Sequence, residues 1–313
     1  MAVRQAPTPR PALGPPPNHE PPSPPTDRVV RVLNLLVGLD QGATVTEIAQ
    51  QLGLNRSTCS AILATLEQRG WVTRHHARTY SLGDGLLSLA EAARSRLPIL
   101  QPAASILERL TERTGYRATL SRADGEHLTI IAASGPSPAG GPSRGLGNRV
   151  PMHPPFGTAI AAWLPDADRA RWMDRSDLTA QDRAELDRYL DAIRRNSFSA
   201  RPFDPANQPA LALIQDLVST LGSVGDQSEL REDLVRILHS HGGTGLTPEQ
   251  LDAPGPLGIS YLVAPVFEDG QPRYQLELHV LRGDVDRSER RRCIEQLLAA
   301  ARELSERASA SSA

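Results

Sequence analysis

Residues 44–83 read TVTEIAQQLGLNRSTCSAILATLEQRGWVTRHHARTYSLG. Thr44 and Glu47 form a capping-box pair: the hydroxyl accepts an orphan helix N–H, and the carboxylate reaches back to the first amide. Ile48, Ala49 and Leu52 then fall on one face at helical spacing. Gly53 stops that helix, because its backbone tolerates positive φ. Asn55 is placed to cap a second helix, in which Cys59, Ile62, Leu63 and Leu66 recur at i, i+3, i+4 and i+7. After Gly70, Trp71 to Arg74 and Thr79 to Leu82 read as two short strands around a basic tip, His75-His76-Ala77-Arg78. Helix, turn, helix and hairpin predict a winged helix-turn-helix, a device that sets one helix in the DNA major groove.

The outward face of helix 56–69 carries Ser57, Ser60, Ala61 and Ala64, small enough to let it approach a groove wall. Arg56, with Ser57 and Thr58, lies near the helix N-terminus, where phosphates and base edges would sit. Arg74 and Arg78 on the wing are placed for phosphate or minor-groove contact. The candidate DNA-binding set is Thr44, Asn55, Arg56, Ser57, Thr58, Ser60, Ala61, Arg74 and Arg78. Residues 28–82 hold six Arg against three acids. That balance also suits a winged helix that binds protein. The small outward face favours groove entry, because a protein-docking face would be hydrophobic.

This stretch resembles the N-terminal domain of the IclR family of bacterial transcriptional regulators. The matching pieces are the helix run Arg28 to Leu39, the Leu-Gly-Leu turn at 52–54, Arg56-Ser57-Thr58, the step from Leu66 to Gly70, and Tyr80-x-Leu82-Gly83. The chain departs at Ser60 and Ala61, where the family often has a bulky residue followed by Arg. The resemblance implies a repressor or activator that binds a double-stranded operator as a homodimer or dimer of dimers. Two recognition helices about one helical turn apart read a two-fold operator, which is the physical reason for pairing.

At 313 residues the chain holds about two domains. Its composition, 39% hydrophobic and 4% aromatic, builds cores from Leu, Val, Ile and Ala. The net charge of −2 means that any affinity for nucleic acid comes from a local patch. All 34 basic residues are Arg, a bias that fits a GC-rich genome. Cys59 and Cys293 fall on apolar helix faces without metal-site partners, as buried thiols of a reducing compartment do. No apolar run approaches the ~18 residues that span a bilayer, and no apolar signal core opens the chain. The expectation is a soluble, cytoplasmic protein with no membrane partner.

Residues 1–26 hold 10 of the 27 prolines and read as a disordered tail. The winged helix fills 27–83. Asp84 to Arg96 reads as a linker helix with Leu86, Leu87, Leu89 and Ala90 as its apolar face, within a linker at 84–97. A helix with Ile106, Leu107 and Leu110 inward ends near Gly115. Tyr116, Ala118 and Leu120 alternate with polar residues as a strand, Asp124-Gly125 turns, and Leu128 to Ala133 returns. Residues 135–148 read as a Gly-rich loop without the Lys-Ser/Thr of a phosphate-binding loop. Helices are expected at 156–163, 166–174 and 179–195. Near the C-terminus, strands at 261–267 and 274–281 flank the turn Asp269-Gly270. Asp286-x-x-Glu289 then caps a last helix carrying Ile294, Leu297, Leu298, Ala301 and Leu304. The predicted class is α+β: a winged helix-turn-helix, a linker helix, and an α/β sensor unit over 98–307 whose curved antiparallel sheet is covered by helices, with 308–313 as a tail.

The resemblance covers about 27–200 and 256–307 and implies that the C-terminal unit holds a small-molecule effector. It places the turn Pro151-Met152-His153 and a small-residue helix with Gly157 and Ala161 at the pocket, beside Leu120. The family's polar pocket positions, an Asp, a Cys and two Ser, fall here on Arg201, Tyr261, Glu277 and His279. Alternation puts Glu277 and His279 on one face of a strand. Three readings stay open: a larger or partly cationic effector held by Glu277 and Tyr261, a pocket filled by its own side chains, and a solvent-facing pair. No response to small 2-oxo acids is expected.

Residues 204–255 do not fit the family. They read as an insertion with helices at 208–221 and 227–240, followed by His239-Ser-His241, too few ligands for a metal site. There is no nucleophile elbow, zinc-protease His pair or spaced Cys cluster. Neither an enzyme nor a cofactor is expected. The rival class is an antirepressor-like protein-interaction module.

Overall fold

The computed structural model describes residues 22–39, 41–136, 145–203 and 245–310. Residues 1–21 of the tail, the helices expected at 208–221 and 227–240, and His239 and His241 lie outside the described residues. So does most of the Gly-rich loop, at 137–144.

The N-terminal unit contains α1 (Pro24–Val37), β1 (Ala43–Thr44), α2 (Val45–Leu52), α3 (Arg56–Gln68), β2 (Val72–Arg74) and β3 (Thr79–Leu82). Helix α1 starts three residues inside the stretch expected as tail. Its first-turn prolines lack only N–H groups that no helix position would pair. Val32, Leu35 and Leu36 of α1 close over Ile48, Leu52, Cys59, Leu63 and Val72. The capping box forms: Thr44 Oγ1 accepts the Glu47 N–H at 3.3 Å, and the Glu47 carboxylate accepts the Thr44 N–H at 2.8 Å. Asn55 corrects one expectation. It stands at the N-cap of α3, but its side chain makes no capping bond; only its backbone carbonyl engages, accepting the Cys59 N–H at 3.0 Å.

The linker is shorter than the helix expected over 84–96. A 3-10 turn (Asp84–Leu86) leads into α4 (Leu87–Arg94), and α4 buries nothing. Its expected apolar face is open, with Leu87 67% and Leu89 49% exposed. The start of the linker lies on the turn that ends α3. The Gly85 N–H donates to the Gly70 carbonyl at 2.9 Å. A Cβ at Gly83 or Gly85 would come within 2.4 or 2.7 Å of that carbonyl oxygen, so only glycine permits the approach.

In the C-terminal unit, α5 (Leu100–Thr114) precedes β4 (Arg117–Ala123), β5 (His127–Ser134) and β6 (Arg149–Pro151). Then come α6 (Thr158–Ala161), α7 (Asp166–Met173), α8 (Ala180–Asn196), β7 (Ser199–Pro202), α9 (Pro248–Asp252), β8 (Leu257–Glu268), β9 (Gln271–Val285) and α10 (Arg287–Ala310). The strands form one antiparallel sheet in the order β6-β5-β4-β9-β8-β7. Asp269 and Gly270 join β8 to β9, both at positive φ, as a tight hairpin demands. Helix α6 is half the length expected at 156–163. Pro154, Pro155 and Gly157 delay its start, and Pro165 follows closely.

One face of this sheet, with Ala118, Leu120, Leu262, Leu276 and Leu278, packs on Ile106, Leu107 and Leu110 of α5 and on Cys293, Leu297 and Leu304 of α10. Ala308 is buried in the same core, so α10 continues into the expected tail. Residues 245–255 also belong to the unit rather than to an inserted piece. Leu246 and Leu251 join the core, and the Leu246 N–H donates to Ala200 at 2.8 Å. Arg290 of α10, fully buried, ties this segment down by donating to the carbonyls of Leu251, Ala253, Gly255 and Val285. Among the described residues no helix is long and apolar enough to cross a membrane.

Candidate DNA interface and ligand recess

Helix α3 turns Cys59, Leu63 and Leu66 into the core and leaves Arg56, Ser57, Ser60, Ala61 and Ala64 exposed. Thr58 is half-buried. Thr44 is not on this face: its hydroxyl is held in the α2 capping box. In the wing, the guanidinium of Arg74 stacks over Tyr80, 5.9 Å from the ring centroid. Arg78 takes a positive φ at the exposed tip. His75 is braced across the hairpin, with Nε2 2.8 Å from Ser81 Oγ. Cationic groups thus stand at the N-terminus of α3 and on the wing, while the helix face between them carries only short side chains.

The second candidate site is the sheet face opposite α5 and α10. Antiparallel register aligns Arg117 with His279, His279 with Tyr261, and Tyr261 with Arg201, across four neighbouring strands. The next row is Thr119, Glu277, Val263 and Ser199; beyond it come Ser121, Gln275 and Pro265. Four of the positions picked from the sequence, Arg201, Tyr261, Glu277 and His279, therefore share one face. Leu120 does not. It is fully buried beneath the helices on the other face, since residues one apart on a strand point to opposite sides. The β4 side chains that do face this recess are Arg117, Thr119 and Ser121. The period-two pattern that marks Leu120 as core was sufficient to find them.

Hydrogen bonds link the rows. His279 Nε2 lies 3.0 Å from Thr119 Oγ1 and 3.4 Å from Glu277 Oε1. Gln275 Nε2 donates to Glu277 Oε2 at 3.3 Å. The rings of Tyr261 and His279 meet edge to face at 5.2 Å. Arg201 donates to the Pro155 carbonyl, and Arg117 to the Gly135 carbonyl. The Glu277 and His279 side chains keep 24% and 18% exposure, yet protein surrounds their charged ends. Burial pushes the Glu277 carboxyl up to about 7 against the pull of Arg201. Burial, helped by Arg117, pushes His279 down to about 3. The pair is thus not the solvent-facing one that the strand pattern also allowed.

Met152 and Ala161 are buried in a cluster with Leu128, Trp172 and Leu190, and α6 packs against β8 and β9. His153 is engaged locally, with Nδ1 2.9 Å from the Pro154 carbonyl and 3.3 Å from Ser176 Oγ. Gly157 opens α6 at φ 71°, and a Cβ there would fall 2.4 Å from Met152 Sδ. Gly157→Ala should therefore lower stability by about 1–3 kcal/mol through left-handed strain and displacement of Met152. A thermal melt matching wild type would remove Gly157 from the frame of the recess. Among the described residues no three His, Cys, Asp or Glu side chains converge as a metal site.

A winged helix joined by a short linker to a helix-backed antiparallel sheet is the build of a two-part DNA-binding protein. Residues 25–76 match the family model of the IclR helix-turn-helix domain. That match lies within the winged-helix unit. The chain is 31% identical to the HTH-type transcriptional regulator XynR of Escherichia coli K12 over 145 residues, 45% of this chain and 57% of that one. An HTH-type transcriptional regulator of Mycobacterium tuberculosis is 29% identical over 174 residues, 53% of this chain and 66% of that one. Across the curated relatives it matches, this chain spans between 37% and 66% of their length. These relatives are HTH-type or DNA-binding transcriptional regulators.

The fold is shared with the IclR protein of Thermotoga maritima, with TM-score 0.58, 18% identity, 91% of this chain and 98% of that one. It is shared too with an IclR homolog from Microbacterium hydrocarbonoxydans complexed with 4-hydroxybenzoate, with TM-score 0.55, 17% identity, 91% of this chain and 99% of that one.

Proposed function

We infer that this protein is a sequence-specific transcriptional regulator of the bacterial cytoplasm, working as a homodimer or dimer of dimers. The winged helix, expected over 27–83, takes in α1 from Pro24; the linker is 84–97, and the sensor unit, expected over 98–307, extends with α10 to Ala310. One observation carries the reading: α3 has a fully buried back and an open front of Arg56, Ser57, Ser60 and Ala61, flanked by the wing arginines. That front can enter a major groove, with Arg74 and Arg78 on the backbone. The open leucines of α4 support pairing of two chains through the linker. A small molecule in the sheet recess, touching Arg201, Tyr261, Glu277 and His279, shifts the dimer and with it the spacing of the two α3 helices.

Titration onto labelled DNA from the gene's own upstream region, against a scrambled duplex at two salt concentrations, tests the core of this. Equal binding to both duplexes would favour the protein-interaction reading instead. Arg56→Ala should cost about 1–3 kcal/mol at one base step if the guanidinium reads a base. If it meets phosphate alone, the loss is uniform across sequences and the salt slope falls by about one. Unchanged affinity and slope would place Arg56 outside the interface.

The edge-to-face packing of Tyr261 on His279 supports a second reading, a recess filled by its own side chains. Thermal shift separates the two. 4-Hydroxybenzoate is the first ligand to try, and small 2-oxo acids should give no stabilisation.

A further inference from the structure

The wing tip carries two groups that the DNA reading above leaves unused. His75 and His76 are exposed between Arg74 and Arg78, so four of the five residues from 74 to 78 are cationic or can become so. The wing from Trp71 to Gly83 contains no acid. The elements packed against it bring Asp27, Arg28 and Arg31 on α1, Arg56 and Glu67 on α3 with Arg69 at its end, and Asp84 on the 3-10 turn. Tyr80 lies within β3, and Glu47 stands behind β1, held in the α2 capping box. Among the described residues none of these acids forms an ion pair or hydrogen bond with either histidine.

The hairpin fixes the tip. The His75 N–H donates to the Thr79 carbonyl at 2.8 Å, and the Arg78 N–H donates to the His75 carbonyl at 2.9 Å. The His75 ring is held as well. Its Nε2 lies 2.8 Å from Ser81 Oγ, and the Ser81 O–H donates to the Leu82 carbonyl at 3.4 Å. With the serine proton directed there, Nε2–H is the donor to Ser81, and the free lone pair of the ring is on Nδ1. A proton added at Nδ1 leaves the Ser81 bond in place. The wing therefore keeps one shape in both protonation states, and only its charge changes.

Histidine is the side chain whose ordinary charge change falls between about pH 5 and 8, and a neighbouring anion favours its charged form. Building on the DNA-binding reading above, we propose that His75 and His76 are phosphate contacts of the wing that become charged as DNA binds, so that the protein holds its operator more tightly as pH falls. Each imidazole takes one proton from solvent when a phosphate oxygen approaches. Arg74 and Arg78 are charged throughout and supply the part of the grip that ignores pH. The linkage is reciprocal: the proton favours DNA, and DNA favours the proton.

The test titrates the full chain onto the upstream duplex by fluorescence anisotropy, at about pH 6 and about pH 8 and at several salt concentrations. The expected result is affinity lower at the higher pH by about three- to tenfold for each histidine. The salt slope should be steeper at the lower pH by up to about 0.9 per histidine. His76→Gln should remove part of both effects. Its ring makes no side-chain hydrogen bond among the described residues, so this change leaves the hairpin intact. His75→Gln,His76→Gln should bind equally at both pH values, near the wild-type affinity at the higher one. His76→Arg should retain tight binding at the higher pH. Groups that titrate elsewhere in the chain are common to all these proteins and cancel in the comparison. Specific binding whose affinity and salt slope ignore pH, or a pH dependence that the double variant keeps, would overturn the proposal and leave the DNA reading standing. No preference for the upstream duplex over a scrambled one at either pH would sink the DNA reading, and the proposal with it.

Discussion

Arg290→Met should be the most destabilising single change in the C-terminal unit, lowering its stability by about 3–5 kcal/mol. The guanidinium is fully buried and donates to four backbone carbonyls, at 2.9 Å to Leu251, 2.5 Å to Ala253, 2.9 Å to Gly255 and 2.6 Å to Val285. Methionine fills similar volume, so the cost is not a cavity. It is the set of stranded acceptors, each worth about 1–3 kcal/mol, partly offset by no longer desolvating a charge. Arg290→Lys should recover only part of the loss, because a point-like ammonium cannot reach acceptors spread around a planar fork. Urea denaturation would read this as a lower midpoint with an unchanged slope. Asp252→Asn is the control. It removes the exposed pairs with Arg287 and Arg291, and the midpoint should hardly move. If Arg290→Met behaved like that control, water would be reaching the carbonyls and the tie at 251–255 would be dispensable.

Glu277→Gln should stabilise the protein at alkaline pH and do little in acid. The carboxyl is raised to about 7 in the fold, from 4.5. Between those values the folded protein holds a proton that the unfolded chain has released. Stability is therefore fully present below about 4.5 and is lost as pH rises through about 7. The loss amounts to about 3 kcal/mol above that range, and a neutral amide does not incur it. His279 has the opposite sign. Its folded value of about 3 lies below its ordinary 6.5, so its contribution is present above 6.5 and is lost as pH falls toward 3. Paired denaturation curves for wild type and Glu277→Gln, at about pH 4 and about pH 8, should diverge appreciably only at the higher value. Divergence at both would mean that Gln improves packing rather than removing a charge.

The winged helix was legible because its signals are local. A capping box, a closing glycine and a 3.6-residue stripe each fix a backbone conformation within a few residues, and Thr44, Gly53 and Leu63 do as their spacing implies. Asn55 did not, because position at a helix start does not dictate where the side chain points. Much of the recess was readable from alternation on β9. Arg117, Thr119 and Ser121 were missed although the alternation on β4 that marks Leu120 as core turns them to the other face; only the pairing of Arg117 with His279 lay beyond local reading. The reach of α10, the short α6 and the capture of 245–255 by Arg290 are tertiary outcomes: they depend on which surfaces meet, not on neighbouring residues. Leu120 was misplaced against its own periodicity.

Strand β9 belongs to two compartments at once, with Gln275, Glu277 and His279 on one side and Leu276, Leu278 and Val280 on the other. This restricts how the gene can vary. Loss or gain of a single codon between Tyr274 and Val280 would send the leucines into the polar recess and the ionisable groups into the dry core. Such an allele loses the fold before it can try a new ligand. Heritable change in ligand preference is therefore confined to codon replacement at every second position, and the intervening codons stay under selection for packing alone.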